Sequence, residues 1–239
     1  MSHLVFPSVP VTLVKVADGA SAFPVARVFC IGRNYDWHST AARTGHAAPD
    51  SPVELPAWFM KPAQAVVPAE GALPYPPGTN AFCPEIEWVV AIGVGGRNIA
   101  PAHAQSHIWG YAVGLDMTRR DLQQQAKTVG GPWEPAKAFD DSAPCTPIVP
   151  VDKVGHPTQG TIWLSVNGQV RQHADIADLM CPVPDLIAML SQSVTLLPGD
   201  LIFTGTPSGV STVVPGDVLT AGIAGMGELT MTVGSKTVS

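Results

Sequence analysis

The chain has 239 residues with a formal charge of −6, 46% hydrophobic and 13% charged content. That length suits one sizeable domain with its own core, and 24 Pro with 23 Gly point to a turn-rich globular chain rather than a disordered one. The acidic balance, without Lys/Arg blocks, argues against a nucleic-acid partner, and no apolar run reaches the roughly 18 to 20 residues of a membrane helix.

In chain order, residues 1–24 read as a leader segment that makes a poor signal peptide, and 25–239 as the catalytic domain. The stretch 25–32 (VARVFCIG) reads as a buried strand ending at Gly32-Arg33-Asn34-Tyr35. Residues 43–56 are polar and rich in breakers, so they are expected to form a mobile, lid-like loop. WFMKP (58–62) predicts a short strand. Glu85 to Gly93 (EIEWVVAIG) predicts an apolar, β-branched strand with two carboxylates at its entrance. A brief helix over Pro101 to His107 precedes a strand from Gly110 to Asp116. A helix over Arg119 to Val129 is closed by Gly130-Gly131. Ile162, Leu164 and Val166 alternate with polar residues before Asn167-Gly168, a type I′ hairpin signal. Pro184 to Gln192 reads as a further helix, and Pro-Gly-Asp turns recur at 198–200 and 215–217. Strands outnumber helices, which predicts an α+β but mainly β fold: a mixed roll or barrel with a few peripheral helices.

Cys30, Cys83, Cys145 and Cys181 are widely spaced, with no zinc-like cluster. Reduced, buried thiols in a cytoplasmic protein are the expectation. Chemistry is concentrated in the carboxylates. Residues i and i+2 of a strand share a face, so Glu85 and Glu87 project together and repel unless solvated or bridged by a cation. Asp116 ends a separate apolar strand, although spacing alone does not bring it to the pair. Taken alone, Glu-x-Glu reads rather as the wet face of an antiparallel strand, since charged residues are mostly exposed. If the three do converge, an all-carboxylate set without His or Cys favours Mg²⁺ or Mn²⁺.

Seven stretches occur in an order that resembles the fumarylacetoacetate hydrolase superfamily: IGRNYDWH (31–38), FMKP (59–62), EIEWVVAIG (85–93), GYAVGLDMTRRDLQ (110–123), GPWEPAKAFDDSAP (131–144), VNGQVRQ (166–172) and LLPGDLIFTGTPSGV (196–210). The resemblance is to its short, single-domain branch, and the wording is most similar to that of fumarylpyruvate hydrolases in aromatic (gentisate) catabolism. It implies a β-rich, homodimeric roll that acts on a small 2-oxo acid, with Glu85, Glu87 and Asp116 holding Mg²⁺ or Mn²⁺. It further implies Arg120, Thr206, Arg33 and Tyr35 in substrate contact, and Gln123 orienting water or the acyl oxygen. Lys137 is implied at the enolate oxygen and His38 as the water-activating base. Neutral imidazole suits that role near neutral pH. Two departures stand out. Relatives often carry Glu three residues after this His, where this chain has Ala41, and His-His before Glu-x-Glu, where it has Cys83-Pro84. Asp36, Asp50 and Glu54 are the nearest substitute acids in sequence. Because decarboxylation of oxaloacetate needs no attacking water, Ala41 keeps an oxaloacetate decarboxylase open as an alternative, alongside a metal-binding homologue with weakened catalysis.

Overall fold

A computed structural model describes residues 5–17, 19–35 and 56–236. Most of the polar stretch 43–56, expected to be a loop, lies outside them. Two sheets dominate the described residues. The larger has eight strands. Along its main path run Trp58–Lys61, Val28–Ile31, Leu201–Phe203, Ile86–Ile92, Ile108–Leu115, Ala143–Cys145 and Val66–Pro68, with Val149–Pro150 added on the flank of Ile108–Leu115. The five-stranded sheet runs Gln169–Asp175, Thr161–Val166, Val218–Ile223, Gly227–Lys236, Glu70–Tyr75. Most neighbours are antiparallel, but Leu201–Phe203 runs parallel to Val28–Ile31, Ala143–Cys145 to Val66–Pro68 and Gly227–Lys236 to Glu70–Tyr75. The result is the mixed, mainly β architecture expected, curled into a half-barrel with few helices.

The strand Ile86–Ile92 explains how the site is placed. All seven of its residues are buried, because packing covers both sheet faces and an uninterrupted apolar run satisfies both. Ile86, Trp88, Val90 and Ile92 enter the larger core with Tyr111, Val113 and Leu115. Val89 and Ala91 enter a second core with Val28, Cys30, Ala112 and Phe203. Each large apolar side chain so buried contributes about 1.5–3 kcal/mol, which fixes the register strongly. Glu87 lies opposite Gly114 and Ile86 opposite Leu115. The Asp116 N–H then donates to the Glu85 carbonyl at 2.8 Å. Asp116 therefore stands across from Glu85, and all three carboxylates extend the face that carries the second core.

Local signals behave as their chemistry requires. Asn167 and Gly168 both have positive φ, 51° and 77°, as a two-residue I′ hairpin demands. The helix Arg120–Val129 ends on left-handed Gly130 at φ 66°. The 198–200 turn is tied by Asp200, which accepts from Arg27 Nε at 3.0 Å and Nη2 at 2.7 Å. Residues 101–107 form a 3₁₀ helix packed against the helix Val183–Ser193. Before residue 25, Leu13–Lys15 pairs with Ala22–Pro24, and Val14 and Phe23 are buried in the second core. None of the described helices is long and apolar enough to cross a membrane.

Candidate metal centre and active site

Glu85, Glu87 and Asp116 each offer an oxygen within 4.8 Å of the others, and all three are buried. The wet-face reading of Glu-x-Glu is thereby excluded: Glu87 and Asp116 are each 1% exposed. Three buried carboxylates require compensation, and the surrounding elements supply much of it. Lys137, from the short helix Glu134–Lys137, donates to Glu85 Oε2 at 2.7 Å, Asp116 Oδ2 at 2.6 Å and Thr118 Oγ1 at 2.6 Å. It is buried, not the surface lysine its residue type alone would suggest. Lys61 Nζ lies 2.8 Å from Asp116 Oδ1, an ion contact without the alignment of a hydrogen bond. Lys61 also donates to the carbonyls of Met117 and Lys137. Arg120 Nη1 reaches Glu85 Oε1 at 3.2 Å and Gln123 Oε1 at 2.9 Å, as residues three apart on one helix face can.

Charge compensation is uneven. Burial opposes ionisation of Asp116, but Lys137 and Lys61 outweigh it and hold its carboxyl below the ordinary range. Burial likewise works against the Lys137 ammonium, and Asp116 and Glu85 more than reverse it, so its pKa is raised. Glu87 has only the Gly205 N–H, at 2.8 Å, among the described residues. Burial, then the neighbouring Asp116 charge, pushes the Glu87 carboxyl well above its usual range. Among the described residues Glu87 has no cation within ion-pair reach. Oxygen-only donors suit a hard divalent ion, so the residues present fit Mg²⁺ or Mn²⁺.

Thr206 is half-buried and accepts from Gln172 Nε2 at 2.8 Å. Gln172 also donates to the Pro207 carbonyl and accepts from the Ile86 N–H at 3.1 Å. It thus locks the Thr206 turn to the strand between the two glutamates. Tyr35 is buried, and its hydroxyl lacks a hydrogen-bond partner among the described residues. Burial, and then the Glu87 charge, raises its pKa. Arg33 is exposed, with φ 59°, and borders a cavity of about 550 Å³ whose walls include neither the carboxylate trio nor Lys137. His38, Ala41, Asp36, Asp50 and Glu54 lie outside the described residues.

Sequence reasoning gave no role to Lys61, Thr118 or Gln172. Lys61 did carry a signal: a lysine ending an apolar run, WFMK, is costly to bury without a carboxylate partner. Gln172 carried none, since its strand reads as an ordinary polar edge. Asn34 was also missed. Its side chain is buried and bonds the Cys181 carbonyl, the Cys181 N–H and the Thr204 carbonyl, fixing the backbone between Arg33 and Tyr35.

Residues 27–234 match the family described as fumarylacetoacetate (FAA) hydrolase C-terminal. A fumarylpyruvate hydrolase from Ralstonia sp is 43% identical over 77% of this chain and 96% of its own length. The crystal structure of fumarylpyruvate hydrolase from Pseudomonas aeruginosa, in complex with Mn²⁺ and pyruvate, is 44% identical, with a TM-score of 0.90 over 98% of this chain and all of that one. An oxaloacetate tautomerase of Escherichia coli (strain K12) is 40% identical over 83% of this chain and 88% of its own. With that match, the buried acidic trio and the shared half-barrel, the chain belongs to the fumarylacetoacetate hydrolase family.

Proposed function

We propose that the protein is a metal-dependent hydrolase that cleaves the C–C bond of an acylpyruvate, with fumarylpyruvate giving fumarate and pyruvate. The observation that carries this reading is the buried Glu85, Glu87 and Asp116 trio, two of whose carboxylates Lys137 bonds. It occurs in a chain 44% identical to an enzyme crystallised with Mn²⁺ and pyruvate. A bound Mg²⁺ or Mn²⁺ supplies Lewis acidity toward the 2-oxo acid.

The chain's own groups do the rest. His38 takes a proton from water as the hydroxyl adds to the C4 carbonyl. Breaking the C3–C4 bond leaves its electron pair on C3 as the enolate of pyruvate, which regains a proton to give pyruvate. Lys137 holds fixed positive charge where enolate charge develops. Arg120 pairs with a substrate carboxylate, Gln123 orients the attacking water or the acyl oxygen, and Thr206, Arg33 and Tyr35 contact the substrate. Lys61 keeps Asp116 ionised and in place. This reading makes the protein a cytoplasmic homodimer, which light scattering and cell fractionation test.

A second reading has specific support. The E. coli relative is an oxaloacetate tautomerase, and enol–keto exchange, like decarboxylation of oxaloacetate, passes through an enolate without attack by water. Ala41, where a partner for His38 is expected, weakens only the water-dependent reaction. Side-by-side assays with Mn²⁺ separate the two. Hydrolysis predicts loss of the fumarylpyruvate enol absorbance with fumarate and pyruvate released in equal amounts, and His38→Ala abolishes it. Enol-oxaloacetate consumption without acylpyruvate turnover selects the second reading.

A further inference from the structure

The helix Arg120–Val129 carries more of the site than its first turn. Arg120, Gln123 and Lys127 follow a spacing of three and four, so they share one face. Arg120 bonds Glu85 of the trio, and Gln123 accepts from the same Arg120 nitrogen. Lys127 lies seven residues further, about 10 Å along the helix at 1.5 Å per residue. Its ammonium sits 5.2 Å above the Trp133 ring. That ring packs at Gly32, where an added Cβ would come within 3.5 Å of it, immediately before Arg33.

Neither Lys127 nor Arg33 has a carboxylate within ion-pair reach among the described residues. Partial burial, and then the neighbouring Arg120 and Arg33 charges, lower the Lys127 pKa. In a chain of net charge −6, this corner is locally positive. A last-turn lysine also complements the helix dipole, but that role requires neither the aromatic floor nor the neighbouring Arg33.

We propose that Lys127, over Trp133 and beside Arg33, receives the distal carboxylate of the substrate's acyl group and selects acylpyruvates that end in a carboxylate. The proposal rests on the acylpyruvate reading and deepens it. Fumarylpyruvate holds its two terminal carboxylates at opposite ends of an extended, conjugated chain, comparable in reach to the roughly 10 Å from Arg120 to Lys127 along the helix. Acetylpyruvate presents the same reacting group with a methyl where the distal acid would be. Oxaloacetate keeps both carboxylates close together and does not extend that far.

The test compares kcat/KM for fumarylpyruvate and acetylpyruvate in wild-type, Lys127→Met and Lys127→Arg proteins, each loaded with Mn²⁺. Lys127 is exposed, so the variants are expected to fold, and unchanged melting curves check this. Loss of a charged contact at a partly solvated site corresponds to about a 10-fold drop. That drop is expected for fumarylpyruvate with Lys127→Met, mainly through KM, with Lys127→Arg restoring most of it. Acetylpyruvate turnover is expected to stay within about twofold of wild type. Added salt is expected to erode the wild-type preference for fumarylpyruvate and to have little effect on Lys127→Met. Parallel losses on both substrates, or no loss on either, overturn the subsite while leaving the hydrolase reading intact. A wild-type protein that turns over neither acylpyruvate overturns both.

Discussion

Replacing Lys137 with Met removes an ammonium that bonds Asp116 and Glu85 at 2.6 and 2.7 Å while roughly keeping side-chain volume. Both carboxylates are buried, with side chains 2% and 7% exposed. Breaking a buried ion pair from one side costs about 3–5 kcal/mol, because the partner remains charged and desolvated. Two cations survive in the variant: Lys61 at 2.8 Å from Asp116 Oδ1 and Arg120 at 3.2 Å from Glu85 Oε1. The expected destabilisation therefore sits at the lower end, about 3 kcal/mol. Denaturant unfolding in EDTA and in saturating Mn²⁺ reads it. A cation held by the same carboxylates replaces the missing charge, so the gap between variant and wild type shrinks when metal is present. Turnover does not recover with stability, because the fixed charge at the enolate is gone; a loss of about 10²–10³ in kcat is expected. Lys15→Met, which breaks the exposed Lys15–Glu70 pair, serves as a control and leaves the midpoint unchanged. A gap under about 1 kcal/mol in EDTA, or one unaffected by Mn²⁺, would refute the assignment of Lys137 as the centre of this charge network.

Other changes test the remaining parts. The Glu87 carboxyl is raised, so without metal the folded state holds a proton that the unfolded chain releases. Its contribution to stability is intact below the usual glutamate range and declines as pH rises through that range toward the folded value. Metal binding must displace this proton, so calorimetry in buffers of different ionisation enthalpy should show proton release and tighter binding at higher pH. Gln172→Leu strands the buried Ile86 N–H and frees Thr206; about 1–3 kcal/mol of lost stability and a raised KM are expected. At Gly209, φ is +99° and an added Cβ would lie 1.9 Å from the Arg171 carbonyl. Gly209→Ala should lower the Tm sharply or prevent folding, whereas Gly216→Ala, with open space at its Cβ position, should cost only its backbone strain.

Much of the fold could be read locally, where one or two residues dictate a conformation. Asn167-Gly168 forces its hairpin, and Gly130 ends its helix, whatever lies elsewhere. The face shared by Glu85 and Glu87 follows from strand period alone. Asp116 was different, because its place across from Glu85 depends on register between two strands, which is set by the whole apolar run. The same run held an underused signal. EIEWVVAIG does not alternate between apolar and polar residues, as a half-wet strand would, and its burial on both faces is why its glutamates are buried. WFMK hinted that Lys61 needs a buried partner, but that the partner is Asp116 became legible only with the sheet order, since the Lys61 strand lies three places from Ile86–Ile92 and reaches Asp116 through space. Gln172 serves the site mainly through backbone groups of Ile86 and Pro207, which leave no mark on residue type.

Turnover of fumarylpyruvate by EDTA-stripped and Mn²⁺-reconstituted protein, in wild type and in Glu87→Gln, tests the account most directly. No turnover is expected when stripped, with recovery on adding Mn²⁺ to wild type, and with neither stoichiometric metal binding nor recovery in Glu87→Gln. Full activity in the stripped protein, or metal-dependent activity in Glu87→Gln equal to wild type, would contradict it.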